Sequence, residues 1–120
     1  MERLLRTPAG EEVVRLLVGQ RVVVPALFDA EVFAAVRRAL RRGIVTPERA
    51  RSMLLWTARL VAERRIMTDL LAEAFALRDR FGPHDVFYVC VAMRHRATLV
   101  TSDQGLSRAA AAYVEVALVA

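Results

Sequence analysis

Three carboxylates carry the chemistry this sequence can do: Glu31, Asp85 and Asp103. Glu31 lies in a helical stretch where its neighbours three and four residues away are Leu27, Phe28, Ala34 and Ala35, all apolar. A carboxylate on such a face needs a partner or a metal. The plainer reading pairs it with an arginine or turns it from the helix edge into water. Asp29 is a rival, but its early place in the helix gives it a role against the helix dipole. Asp85 follows the Gly82-Pro83 break and opens an apolar helix, where an acid is more often a cap than a ligand. Asp103 stands just past a short β run, a common place for a cap or turn residue. Together the three are a stronger signal than any one of them. Each stands at the start of an element, and alternating strands and helices bring such points to one sheet edge. Clustered carboxylates without supporting His or Cys suit hard cations, Mg²⁺ or Mn²⁺. Such ions activate water and steady a phosphodiester during hydrolysis.

Other chemistries fit poorly. His84 and His95 fall near one helix face but roughly 16 Å apart along its axis, so they share no zinc. Cys90 sits mid-helix between Val89 and Val91 and reads as core. Tyr88, Val89 and Ala92 read as core for the same reason. Ser102, His84 and Asp85 can be drawn as a triad, but no nucleophile elbow or Gly-rich phosphate loop accompanies them. Arg37, Arg38, Arg41 and Arg42 form a solvated helix face, with an RNA track as the alternative use.

The elements that must position the acids alternate. Glu2 to Leu17 reads as a helix interrupted near Thr7-Pro8-Ala9-Gly10, and Arg21 to Val24 as a β run. Pro25 opens a helix to Arg42 whose apolar set is Phe28, Val32, Val36, Ala39 and Leu40. Thr46 caps a helix that has Pro47 first and runs to about Val61, carrying Met53, Leu54, Trp56 and Leu60. Arg65 to Met67 is a short strand, and Thr68 or Asp69 caps a helix through Arg80. Asp85 to His95 is a helix, Thr98 to Thr101 a strand, Gln104 to Ala112 a helix, and Val114 to Leu118 a closing strand. This order predicts an α/β fold with a parallel sheet covered by helices. No repeat or linker divides residues 1–120.

Composition sets the outer limits. The chain has 120 residues and is 56% apolar, enough for one domain and one core. Its mean hydropathy of +0.33 is high for a small domain. It points to elements buried on several sides, or to an apolar face kept for a partner such as a second copy. Arginine interrupts every apolar run before it reaches membrane-spanning length, and Met1 to Gly10 has no signal-peptide core. A single cysteine fits a reducing cytoplasm. The net charge is +5, carried entirely by arginine, with no lysine and no asparagine. That balance suits phosphate or an acidic partner, and equally a genome that writes Arg for Lys.

At this point three stretches carry a family resemblance. They are Val24-Pro25-Ala26-Leu27-Phe28-Asp29-Ala30-Glu31-Val32 running into Arg37-Arg38; His84-Asp85-Val86-Phe87-Tyr88-Val89 with Ala92; and Leu99-Val100-Thr101-Ser102-Asp103 with Leu106. In that order the chain resembles a PIN-domain ribonuclease of the VapC toxin type over nearly its whole length. The resemblance implies a three-layer parallel α/β domain over residues 1–120 and a Mg²⁺ site, with Mn²⁺ as the alternative ion. It implies endonucleolytic RNA cleavage and inhibition by a small cognate antitoxin. The acids it carries over are Glu31, Asp85 and Asp103. The family also begins with a central strand ending in an Asp, whereas here no Asp precedes Asp29. By comparison, a strand with its lead-in, roughly ten residues, is absent. A start codon assigned too late explains this more economically than a truncated gene, because the other motifs are intact. Without that strand, the 120-residue form is expected to be poorly soluble or inactive as a nuclease.

The leading expectation is therefore a divalent-metal endoribonuclease toxin that forms a homodimer and pairs with an antitoxin. The alternative is a catalytically impaired PIN remnant that binds antitoxin or RNA without cleaving. A third class is a basic nucleic-acid-binding module whose acids are only caps. Metal titration separates the first from the other two.

Overall fold

The computed structural model describes Arg15 and residues 17–119. The helix expected over Glu2 to Leu17 lies outside the described residues, except for Arg15 and Leu17, which are helical. The first strand, β1, is Val23–Pro25. Proline suits its end because the ladder bond to the next strand comes from Ala26, whose N–H donates to the Arg65 carbonyl at 2.7 Å. Helix α1 therefore begins at Phe28 and runs to Arg41, later than the proline had suggested. It buries Phe28, Val32, Ala35 and Val36, one stripe at helical spacing. Leu40, expected on that stripe, is exposed.

Helix α2, Pro47–Arg59, starts as the sequence indicates. Thr46 accepts the Arg49 N–H at 3.1 Å and Pro47 takes the first turn, where its missing N–H costs nothing. Trp56 of this helix is exposed. Strand β2 is Glu63–Arg65, two residues earlier than its apolar neighbours suggest. Ile66 is left exposed, while the half-buried Arg64 and Arg65 carry the ladder to β1. A 3₁₀ turn at Thr68–Leu70 leads into α3, Leu71–Ala76, and neither Thr68 nor Asp69 serves as the cap. The helix stops short of Arg80 because the chain turns back, bringing Phe81 edge-on to Tyr113 with ring centroids 5.8 Å apart.

Helix α4, Asp85–His95, is the centre of the fold. Val86, Val89, Cys90, Val91 and Ala92 are buried, so the helix is apolar nearly all round. It ends at Arg96, which takes the left-handed conformation at φ 51° to turn the chain into β3, Leu99–Thr101. Helix α5, Gln104–Ala110, and strand β4, Val116–Leu118, close the described chain. Both end elements are shorter than the sequence reading.

β1 pairs with β2 and β3 with β4, both in parallel, which makes this an α/β fold of parallel strands with helices between them. Among the described residues no ladder joins β1 to β3. Both strands instead pack on α4, and Val23 and Leu99 belong to the same apolar cluster as Val89 and Ala92. Between them lies a cleft of about 750 Å³. Its walls include Val23, Pro25, Leu99 and Val100, and Tyr88, Val91 and Ala92 of α4 also line it.

Candidate active site

α1 leaves β1 after one loop, so Glu31 is carried on the first turn of α1 close to the end of that strand. α4 brings its own first turn to the same place. The Tyr88 hydroxyl donates to Glu31 Oε1 at 2.6 Å, and His84 Nδ1 stands 3.6 Å from Glu31 Oε2. The Glu31 side chain is only 23% exposed, and these are the polar neighbours that make its position tenable. Burial pushes the Tyr88 hydroxyl well above the ordinary range, and the hydrogen bond to Glu31 adds to this. The charges of Glu31, Asp85 and Asp29 reinforce the shift, so Tyr88 remains a proton donor throughout the working range. His84 and Tyr88 flank Asp85 on this turn and both reach Glu31, so the two candidate acids share one neighbourhood although they are 54 residues apart (85 − 31).

Asp85 is the first residue of α4; His84, not Asp85, is the position before it, and no side chain caps that end. Asp85 is exposed, with the first turn of α4 behind it. Asp103 is the residue before α5, and its Oδ1 accepts the Leu106 N–H at 2.9 Å. It is held from the other side as well, by the Thr101 hydroxyl accepting its N–H at 3.1 Å. Asp103 thus caps a helix at the C-terminal end of β3.

The other residues singled out from the sequence divide, with His84 and Tyr88 joining Glu31 and others held elsewhere. Asp29 is gripped by Arg64, through Nη2 at 3.0 Å and Nε at 3.2 Å, which gives it an ion pair beyond its place near the dipole. Cys90 is buried, and burial pushes its thiol up. Ser102 is also buried, and His84 turns to Glu31. Arg37, Arg38 and Arg41 are exposed on α1. Tyr88, read as core, is half-buried and belongs to the site. Its spacing of one helical turn from Asp85 was the signal for this.

Two carboxylates, Glu31 and Asp85, at one helix junction are oxygen donors of the kind Mg²⁺ takes, since that ion commonly keeps several waters and uses one or two carboxylates. The residues therefore fit a hard divalent cation. Among the described residues no three His, Cys, Asp or Glu side chains stand close enough together to form a fuller cage. No described buried side-chain polar atom lacks a partner, so Glu31 is held in place without the ion.

Comparison with known proteins places the sequence among relatives. The PIN domain family profile matches residues 3–112. Ribonuclease VapC12 of Mycobacterium tuberculosis is 32% identical over 120 residues, covering 100% of this chain and 93% of that protein. Ribonuclease VapC3 of the same species is 35% identical over 85 residues, covering 71% of this chain and 62% of that protein. The VapC ribonuclease Mb0985 of Mycobacterium bovis is 29% identical over 93 residues, covering 78% of this chain and 73% of that protein. No solved structure matches. No helix among the described residues is long and apolar enough to cross a membrane.

Proposed function

The chain belongs to the PIN-domain family of VapC-type ribonucleases, and from that premise we propose that it is the toxin of a toxin–antitoxin pair, hydrolysing RNA phosphodiesters with Mg²⁺ or Mn²⁺. The observation that carries the reading is that Tyr88 and His84, which flank Asp85 on α4, both reach Glu31 of α1. In the proposed site Glu31 and Asp85 hold the cation. Asp103, exposed between β3 and α5 and engaged as the cap of that helix, would act on the substrate and not on the same cation. A bound divalent cation supplies a lowered pKa for an attacking water and charge neutralisation at the phosphate.

The protein's own groups do the rest. The first turn of α4 offers a positive helix end beside Asp85, which favours a phosphate approaching that point. Arg37, Arg38 and Arg41 give α1 an exposed cationic face for the RNA backbone, a contact that orients without reading sequence. The positive net charge draws the same polyanion. The partners that follow are RNA and a small cognate antitoxin. A homodimer is the proposed assembly, because Phe33, Leu55, Trp56, Ile66, Leu71 and Phe75 leave apolar surface exposed.

One observation favours the remnant that binds without cleaving: no three acids close on one point among the described residues. The test is cleavage of a mixed RNA pool with Mg²⁺ or Mn²⁺, before and after EDTA, with Asp85→Asn alongside. Metal-dependent cleavage that falls at least about a hundredfold in Asp85→Asn is expected, the scale on which mutants lose metal-supplied catalysis. Cleavage that survives both EDTA and Asp85→Asn sinks the metal reading. Tight RNA or antitoxin binding with no cleavage selects the remnant.

A further inference from the structure

Glu31 has two oxygens in different situations. Oε1 accepts the short bond from the Tyr88 hydroxyl, at 2.6 Å. Among the described residues, the polar group nearest Oε2 is His84 Nδ1, at 3.6 Å, beyond hydrogen-bond reach. Tyr88 is itself fixed, because it is half-buried on α4 and its ring packs on both apolar clusters of the domain. The hydroxyl is thus a rigid donor aimed at one oxygen of a carboxylate on a different helix.

We infer that Tyr88 is a positioning residue for Glu31, occupying Oε1 so that the carboxylate offers a cation one oxygen, Oε2, and thereby favours Mg²⁺ over Ca²⁺. The inference rests on the proposed metal site. A carboxylate bound through one oxygen fits the small octahedral ion. One that swings to give both oxygens fits the larger, more flexible shell of calcium. A hydrogen bond held on one oxygen opposes that swing. It also removes the need to order Glu31 when the ion binds, which raises affinity for the ion that accepts a single oxygen.

The experiment measures metal binding without RNA. Free Mn²⁺ is followed by its electron paramagnetic resonance signal, and Mg²⁺ and Ca²⁺ are ranked by competition with it. The proteins are the full chain, Tyr88→Phe and Glu31→Gln, each checked by thermal melting without metal. Tyr88→Phe keeps the ring and removes the donor; Tyr88→Met replaces it if the phenylalanine protein does not fold. The expected result is a loss of about tenfold in Mn²⁺ affinity, the lower end of what outer-shell partners contribute, with a several-fold fall in the Mg²⁺ to Ca²⁺ affinity ratio. A role confined to packing moves the melting temperature and leaves that ratio unchanged. An unchanged affinity and ratio in Tyr88→Phe, with binding lost in Glu31→Gln, overturns the inference and leaves the metal site standing. Unchanged Mn²⁺ binding in Glu31→Gln overturns both.

Discussion

Arg64 and Asp29 are joined side by side, guanidinium to carboxylate, across 35 residues of chain. The same guanidinium donates to the carbonyls of Thr57 at 3.1 Å, in the last turn of α2, and of Leu60 at 3.0 Å, the residue that caps it. One side chain therefore ties the start of α1 to the end of α2, and neutralises C-terminal dipole charge as it does so. Asp29 belongs to this tie and Glu31 to the proposed site, two residues apart on one helix.

This division predicts opposite behaviour for the two acids. Asp29→Asn is expected to lower stability by under about 1 kcal/mol, since both partners are partly solvated, and to leave Mn²⁺ binding intact. Arg64→Ala is expected to cost more, about 2 kcal/mol, because the Leu60 carbonyl loses this donor and the Thr57 carbonyl keeps only the Leu60 N–H. Urea denaturation and Mn²⁺ titration check both. A loss of metal binding in Asp29→Asn places Asp29 in the site and breaks the assignment.

A second polar cluster predicts a pH dependence. Asp69 takes both Arg65 nitrogens, at 2.9 and 2.8 Å, and also faces Arg94, which pairs in turn with Glu73. The hydrogen bonds from Arg65 hold the Asp69 carboxyl below its ordinary value of 3.8. For a depressed acid, the stability is fully present above the unfolded-state value and disappears as pH falls through the folded one. Asp69→Asn should therefore be less stable than the parent at neutral pH, with the gap closing below about pH 4. Denaturation midpoints at neutral pH and near pH 3 read this out; a gap that stays constant across that range excludes Asp69 as its source.

How much was legible in the sequence differs by element. α2 and α4 were read well, because Thr46-Pro47 and Gly82-Pro83 mark starts by local backbone chemistry. β2 was misplaced because its strand residues are Glu63, Arg64 and Arg65, whose ladder is fixed by β1 and not by their own hydrophobicity. The position of each acid at or near the start of an element was legible, but among the described residues the three do not close on one point. The partner of Glu31 was not, because Tyr88 carries a hydroxyl on a helix that otherwise reads as core, and only the packing of α4 against α1 decides where that hydroxyl points. Asp103 is a helix cap, as its place after β3 suggested, and its use as an acid remains part of the proposed function.

The last prediction concerns the cleft between β1 and β3. The Glu63 N–H donates to the Val22 carbonyl and the Ala26 N–H to Arg65, so alternate residues of β1 face β2. The intervening Val23 turns its own backbone groups to the opposite edge. In β3 the Leu99 N–H donates to Glu115 and the Thr101 carbonyl accepts from Val119, which turns Val100 the other way. Both opposite edges border the same apolar cleft of about 750 Å³. Among the described residues no ladder joins the two strand pairs, and backbone groups beside apolar walls need partners. An N-terminal extension of roughly ten residues, apolar and β-branched with an Asp near its end, should enter as a strand pairing on both sides. It should raise the melting temperature and solubility, and add a carboxylate beside Glu31 and Asp85. Both forms are expressed, melted, and assayed for RNA cleavage with Mg²⁺. A rise in melting temperature and activity on extension is the expected result. Full activity from the 120-residue chain, abolished by Asp103→Asn, would show that three acids suffice and that the cleft needs no further strand.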